Sequence, residues 1–310
     1  MAGRTLPRLL CLLTLLLSMS WGIAAAPAMA ANPGKIPVTA SIVPLADFCR
    51  QLGGERLDVQ VLIPPGASPH AFEPPPSVMA KAFQARVLVY VGAGLEPWAS
   101  KIVQSRNPGK VAVVEAAQGI LLIREVGAHA EEESKAGQEH EAGNPHIWLD
   151  PVLAQDICHR LAATFTQVDP EHRAFYEARL QSYLTELRAL DREIRKHVQT
   201  WRLKEFISFH PAFSYFARRY GLQEAGVLEL APGREPTPRH LQEIVVAIRR
   251  YHIRVVFAEP QLNPRVAEVI AREAGVKVLM LDPIGGRPSY GDDYLKLMRY
   301  NLATMEEAMK

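Results

Sequence analysis

The sequence predicts an α/β protein of two lobes, each a parallel sheet of about four strands flanked by helices, joined by one long rigid helix. Two observations predict this fold. Short β-branched apolar runs alternate with helical patterns in two separate series, and strands this apolar, spaced by helices, belong to parallel sheets covered on both faces. Between the two series lies one helical pattern without glycine or internal proline, which predicts the connection.

Each series contains four strand-like runs. Those of the first series are 38–43, 59–63, 87–91 and 111–114. Those of the second series are 206–209, 227–230, 255–258 and 276–281. The helical patterns that accompany them are 45–52, 77–85 and 97–104, then 212–220, 238–251, 264–274 and 294–309. No convincing sequence repeat relates the two series, so they are expected to share an architecture only.

The connecting helix is predicted from Asp169 to Thr200. Its apolar side chains recur at steps of three and four residues, as in one amphipathic helix: Leu180, Leu184, Leu187, Leu190, Ile194 and Val198. Asp169 suits the cap and Pro170 the first turn. About thirty residues span about 45 Å, and so stiff a connector predicts limited motion between the lobes. The predicted division of the chain is a signal segment 1–30, a first lobe 31–168, a linker 169–201 and a second lobe 202–310.

Residues 1–30 are typical of a signal peptide. Arg4 and Arg8 precede an almost wholly apolar run at 9–17, and Ala28 to Ala30 form a small-residue cleavage site. We expect cleavage before Ala31 and a periplasmic protein with no direct membrane insertion afterwards. An uncleaved anchor is the alternative.

The remaining chain is electrically balanced. Two of the 35 basic residues and none of the 33 acidic ones lie in the signal segment, so the formal net charge after it is zero. This balance gives no indication of a nucleic-acid partner, and we expect a monomer.

Cys49 and Cys158 lie in amphipathic helical patterns, which favours buried free thiols, with a disulfide as the alternative in an oxidising compartment.

The acidic segment 127–144 has few large apolar side chains, so we expect a mobile loop. Its His129 and His140 could make weak accessory contacts to metal ions, but a solvated acidic loop is the simpler interpretation.

Four metal-compatible side chains share one context, next to a proline at the exit of an apolar run: His70, His146, His210 and Asp282. In parallel sheets, ligands bind outside the carboxyl ends of the strands, so all four are expected on one rim of their sheets. They meet if the two rims face each other across a cleft. Three imidazoles and one carboxylate suit a four-coordinate transition metal, with zinc the leading candidate.

Six segments carry a family resemblance: SIVPLADFCRQLGG, IPPGASPHAFEPPPS, NPHIWLDP, SFHPAFSYFARRYGL, EPTPRHL and LDPIG. In this order and spacing the chain resembles the zinc- and manganese-binding solute receptors of ABC transporters, called cluster A-I or cluster 9. The resemblance implies two lobes joined by a backbone helix, with one Zn²⁺ between them on His70, His146, His210 and Asp282. It also implies delivery of the ion to a membrane permease. Manganese receptors of the family typically present a carboxylate in place of His210, which favours zinc here.

Other functions are weighed beside this one. A manganese receptor of the same family is the nearest alternative. A zinc hydrolase needs an open coordination position and a general base, which Asp282 could supply. The sequence has no HExxH pattern, nucleophile elbow or phosphate-binding glycine loop. A surface adhesin is a third class, disfavoured by the lack of repeats and of a wall-sorting tail. We therefore predict a receptor and not an enzyme.

Overall fold

The computed structural model describes residues 34–105, 110–124, 143–230 and 236–310. The predicted signal segment lies outside the described residues, as does most of the acidic segment with His129 and His140. Within the described ranges, no helix is both long and apolar enough to cross a membrane.

The first half builds one sheet and its covering helices. Its strands are β1 (Ile36–Ala40), β2 (Leu57–Val61), β3 (Val87–Tyr90) and β4 (Ala112–Glu115). Its helices are α1 (Val43–Gly53), α2 (Pro76–Gln84) and α3 (Ala99–Ser105). A proline stands in the first turn of both α1 and α2, where the backbone N–H has no partner within the helix.

Two helices lead from the first half to the second sheet. They are α4 (Pro151–Val168) and α5 (Arg173–Thr200). The strands that follow are β5 (Glu205–Ser208), β6 (Gln223–Val227), β7 (Val255–Ala258) and β8 (Lys277–Met280). The helices among them are α6 (Ser214–Tyr220), α7 (Pro238–Arg250), α8 (Arg265–Ala274) and α9 (Tyr294–Met309).

The strands form two four-stranded parallel sheets with the same topology. Their orders are β2-β1-β3-β4 and β6-β5-β7-β8. The predicted fold class is confirmed. The central strands are β1 and β3 in the first sheet and β5 and β7 in the second. In each sheet the chain leaves the two central strands towards opposite edges of the sheet. The loops that leave such a pair diverge and open a crevice, which is where ligands of open parallel sheets bind.

Two strands differ from their predicted positions. β6 begins at Gln223, ahead of the predicted run 227–230, because this edge strand carries the polar residues Gln223 and Glu224 and escapes a search for apolar runs. β1 ends at Ala40, and Val43, predicted as strand, begins α1 instead. The side chain of Val43 is buried in the helix, and this packing outweighs the preference of a β-branched residue for a strand.

The long helix α5 has 28 residues, which makes it about 42 Å long. Its predicted apolar stripe is buried. The prediction that Asp169 caps this helix is wrong. Asp169 follows α4, and its carboxylate accepts a hydrogen bond from the Tyr176 hydroxyl at 2.9 Å and pairs with Arg56 at 3.1 Å. A short 3₁₀ turn, Pro170–His172, then leads into α5.

The main hydrophobic cluster joins the two halves. It contains side chains of β1, α1 and α5 together with those of the C-terminal helix α9, which packs against both α1 and α5. Trp148 strengthens the junction, since its Nε1 donates to the Pro283 carbonyl at 2.7 Å and its own carbonyl accepts from the Tyr294 hydroxyl at 2.7 Å. Cys49 and Cys158 lie in this cluster as buried free thiols, as predicted.

Candidate metal centre

Four loops carry the predicted ligands, and each loop follows the carboxyl end of a strand. His70 lies after β2, His146 after β4, His210 after β5 and Asp282 after β8. Because β5 is a central strand of its sheet, His210 stands at the edge of the crevice of the second lobe.

The three histidines meet across the lobes. His146 Nε2 lies 3.1 Å from His70 Nε2 and 3.1 Å from His210 Nε2. The ligand atoms of the three all lie within 4.8 Å of one another. Nitrogens at 2.0–2.1 Å from a tetrahedral zinc ion are separated by roughly 3.4 Å, so only small shifts would place one ion among them.

His146 takes its orientation from Asn144. The amide oxygen of Asn144 accepts hydrogen bonds from the backbone N–H and from Nδ1 of His146, both at 2.9 Å. Since Nδ1 is the donor, Nε2 carries the lone pair that faces the cluster. The amide nitrogen of Asn144 donates to the Pro211 carbonyl at 2.6 Å. One side chain therefore orients a predicted ligand of the first lobe and holds the residue after His210.

His210 takes its orientation from Glu259, which follows β7. Oε1 of Glu259 accepts a hydrogen bond from His210 Nδ1 at 2.6 Å, and both side chains are almost fully buried. Because Nδ1 is the donor, Nε2 carries the lone pair on the side of the histidine cluster. Nδ1 of His146 is thus held by an amide and Nδ1 of His210 by a carboxylate.

Asp282 is fully buried and directly precedes Pro283 and Ile284, which line the same cavity as the histidines. Its Oδ1 accepts hydrogen bonds from Gln261 Nε2 at 2.7 Å and from the backbone N–H groups of Ile284 at 2.9 Å and Gly285 at 3.0 Å. Its Oδ2 accepts from the Tyr290 hydroxyl. The compact group of ligand atoms contains the histidines but not this carboxylate.

Burial keeps the first-lobe histidines neutral. Desolvation, and then the nearby His210, lowers the pKa of His70 to about 3. Desolvation likewise lowers the pKa of His146 well below its usual value, with His210 and His70 as the next causes. Neutral imidazole is the form that coordinates metals, so no proton has to be displaced from these rings near neutral pH.

The cavity at the cluster is small, with a volume of about 10 Å³. A single bound water needs about 10–15 Å³ by the same measure. Its wall includes His70, His146, His210, Glu259 and Gln261. A space of this size fits one small ion.

Comparison with known proteins shows the family of the chain. The family model described as zinc-uptake complex component A, periplasmic, matches residues 38–308. The chain belongs to this zinc-uptake family. It is 30% identical over 282 residues to the high-affinity zinc uptake system protein ZnuA of Bacillus subtilis (strain 168), covering 89% of this chain and 88% of that protein. It is 29% identical to the zinc-binding protein AdcA of Streptococcus pyogenes serotype M3, but spans only 56% of that protein's length.

Solved structures of the zinc-uptake family share the fold. A crystal structure of ZnuA matches with a TM-score of 0.77 and 30% identity over 88% of this chain and 99% of that one. The laminin-binding protein Lmb of Streptococcus agalactiae, described as bifunctional with adhesin and metal transporting activity, matches with a TM-score of 0.77 and 32% identity over 89% of this chain and 100% of that chain. The family comprises metal-binding receptors, so the prediction of a receptor and not an enzyme is confirmed.

In this member of the zinc-uptake family, sequence reasoning missed Glu259 and Asn144. The signal for Glu259 was present, because it stands next to Pro260 at the exit of a buried strand, the context that singled out the other four residues. Asn144 has a weaker signal, its position two residues before His146. Its contact with Pro211 joins residues far apart in the chain, and no local pattern encodes that contact.

Proposed function

We propose that this member of the zinc-uptake family is an extracytoplasmic receptor that binds one Zn²⁺ and delivers it to the permease of an ABC transporter. The observation that carries the proposal is the meeting of three buried imidazole nitrogens around a cavity of single-ion size. The zinc-uptake names of the relatives support the same ion.

The proposed ligands are Nε2 of His70, His146 and His210, with Asp282 as the fourth. Support for Asp282 comes from its Oδ2, which accepts only the Tyr290 hydrogen bond among the described residues and so keeps a lone pair for an ion. With Asp282 Oδ2 as the fourth donor, the site would be tetrahedral. Four protein ligands close the coordination sphere, whereas a hydrolase keeps a position open for water.

Zinc is favoured over manganese by the donor atoms. Three nitrogens and one oxygen suit borderline-soft Zn²⁺, while Mn²⁺ prefers carboxylate, carbonyl and water oxygens. The manganese receptor is therefore the second candidate, with His210 as the residue that decides against it.

The compartment and the partners follow from the same proposal. The signal segment 1–30 is expected to be cleaved in the periplasm, where the receptor acts as a monomer without membrane insertion. We assign the acidic segment 127–144, with His129 and His140, a secondary role, so its deletion should leave the affinity of the main site unchanged.

Metal-dependent thermal stability tests the proposal. A ligand that binds only the folded state stabilises it, by about 2.7 kcal/mol at a free concentration 100 times its Kd. The metal-free protein should gain stability up to one equivalent of zinc and much less with manganese. Equal shifts with the two ions would contradict the zinc assignment, and no shift with zinc would contradict the function. Delivery is measured separately as zinc accumulation in cells lacking the receptor, with and without this chain.

A further inference from the structure

Glu259 is dedicated to one partner. Its side chain is 2% exposed. Among the described residues, the hydrogen bonds that it accepts come only from His210, at 2.6 Å from Nδ1 and 3.4 Å from the backbone N–H. Its other oxygen, Oε2, is buried and has no hydrogen-bond partner within the same residues. A carboxylate with so few partners is costly to bury, and a cation in the adjoining cavity would offset that cost.

We propose that Glu259 is a positioning residue that makes His210 the strongest ligand of the site and biases the site towards zinc. This inference rests on the zinc-binding function proposed above. Oε1 holds the Nδ1 proton, so the ring keeps one tautomer and one orientation with Nε2 towards the ion. A charged acceptor draws on that proton more strongly than a neutral one, and this raises the basicity of Nε2.

The bias towards zinc follows from the order in which metals bind nitrogen ligands. Zinc binds such ligands more tightly than manganese, so a stronger nitrogen donor benefits zinc more. Glu259 acts on the ion through His210, because its own carboxylate is not part of the group of ligand atoms that lie within 4.8 Å of one another. The part of its contribution that depends on the hydrogen bond is therefore lost when the His210 ring is absent.

Glu224 offers a matched comparison in the same lobe. Its carboxylate is also held close to His210, but it accepts from the hydroxyls of Ser208 at 2.9 Å and Ser214 at 2.6 Å and makes no hydrogen bond to the imidazole. Removing the charge of Glu224 leaves the Nδ1 contact intact. The pair separates the effect of the hydrogen bond from that of nearby negative charge in general.

The test is Glu259→Gln in the full chain, which keeps an acceptor oxygen for Nδ1 but removes the charge. We expect zinc affinity, measured by competition with a chelating indicator, to fall about 10- to 100-fold, the range for partners of ligating histidines. Manganese affinity should fall less, so the ratio of zinc affinity to manganese affinity should decrease. In a His210→Ala background the same substitution should lower zinc affinity clearly less than in the wild type, because only the direct attraction between the charge and the ion then remains.

Glu224→Gln is the control and should leave zinc affinity near the wild-type value. Equal losses in the two variants would overturn the proposal in favour of a general charge effect, and an unchanged zinc affinity in Glu259→Gln would also overturn it. If that variant does not fold, Glu259→Asp keeps the charge with a shorter reach and should likewise weaken zinc binding. A wild-type protein that binds no zinc would instead refute the proposed function, so the two failures are distinguishable.

Discussion

The two lobes contribute unlike halves of one candidate site. The first lobe supplies His70 and His146, and the partner of His146 is the neutral amide of Asn144. The second lobe supplies His210, whose partner is the buried carboxylate of Glu259, and Asp282, which is buried next to the cavity-wall residue Pro283. Among the described residues of the cavity wall, the only carboxylate is Glu259, so the negative charge comes from the second lobe.

This difference gives the two lobes different roles: the second attracts the cation, and the first completes its coordination. Negative charge in a low-dielectric wall draws a cation towards the second lobe. In the proposed site, the neutral imidazoles of the first lobe would then add nitrogen ligands without adding charge, which suits zinc. The second lobe should accordingly dominate affinity, and the first should refine geometry.

Loss of His210 should have the largest effect. His210→Ala removes the proposed ligand whose Nε2 is made most basic by Glu259, so zinc affinity should fall by more than about 100-fold, the upper range for loss of an outer partner. His70→Ala removes a proposed ligand whose ring has no carboxylate partner among the described residues, and it should cost less. Competition titrations of both variants measure the difference. An equal or larger loss in His70→Ala would break the proposed asymmetry between the lobes.

Asp282→Asn should have the next largest effect. The substitution keeps the shape of the side chain and removes its charge, so we expect zinc affinity to fall about 10- to 100-fold. Tyr290→Phe is the control, because it removes one hydrogen bond to Asp282 and leaves the charge in place. If Asp282 only anchors its loop, both variants will lower the melting temperature and neither will alter zinc affinity.

The sequence predicted the fold class and the meeting of three histidines for a physical reason. Parallel strands place their carboxyl ends on one rim, so chain order alone puts His70, His146 and His210 on the edges that face the cleft. The partners of these histidines were not predicted. The Asn144 contact with Pro211 depends on how the lobes pack, which local patterns do not encode. Glu259 could have been predicted, because it stands next to a proline at the end of β7 and the predicted ligands stand next to prolines after their own strands.

Asn144→Ala tests the neutral half of the site. The variant frees Nδ1 of His146 and removes the hydrogen bond to the Pro211 carbonyl, so zinc affinity should fall about tenfold, the low end of the range for such partners. Tyr215→Phe is the matched control. It removes the hydrogen bond from the Tyr215 hydroxyl to the Asn144 carbonyl at 2.7 Å and leaves the hydrogen bond between Asn144 and the His146 ring in place. Equal losses would assign the effect to packing of the lobes and not to the orientation of His146.

Asp47→Asn should have the smallest effect on zinc, because this buried carboxylate of the first lobe does not line the cavity. It accepts a hydrogen bond from the Tyr294 backbone N–H at 3.0 Å, and desolvation raises its pKa from 3.8 to about 6. Between those values the folded protein binds a proton that the unfolded chain has released. The free energy of unfolding should therefore decrease as the pH rises through this interval, by up to about 3 kcal/mol, and Asp47→Asn should remove that decrease.

Urea unfolding of the wild type and Asp47→Asn across this pH interval measures the difference between them, and zinc titration at neutral pH supplies the second readout. An unchanged pH dependence would show that Asp47 does not titrate in this interval. A loss of zinc affinity would be more damaging to the comparison of the lobes. It would mean that charge in the core of the first lobe also reaches the ion, whereas the geometry restricts that influence to the carboxylates of the second lobe.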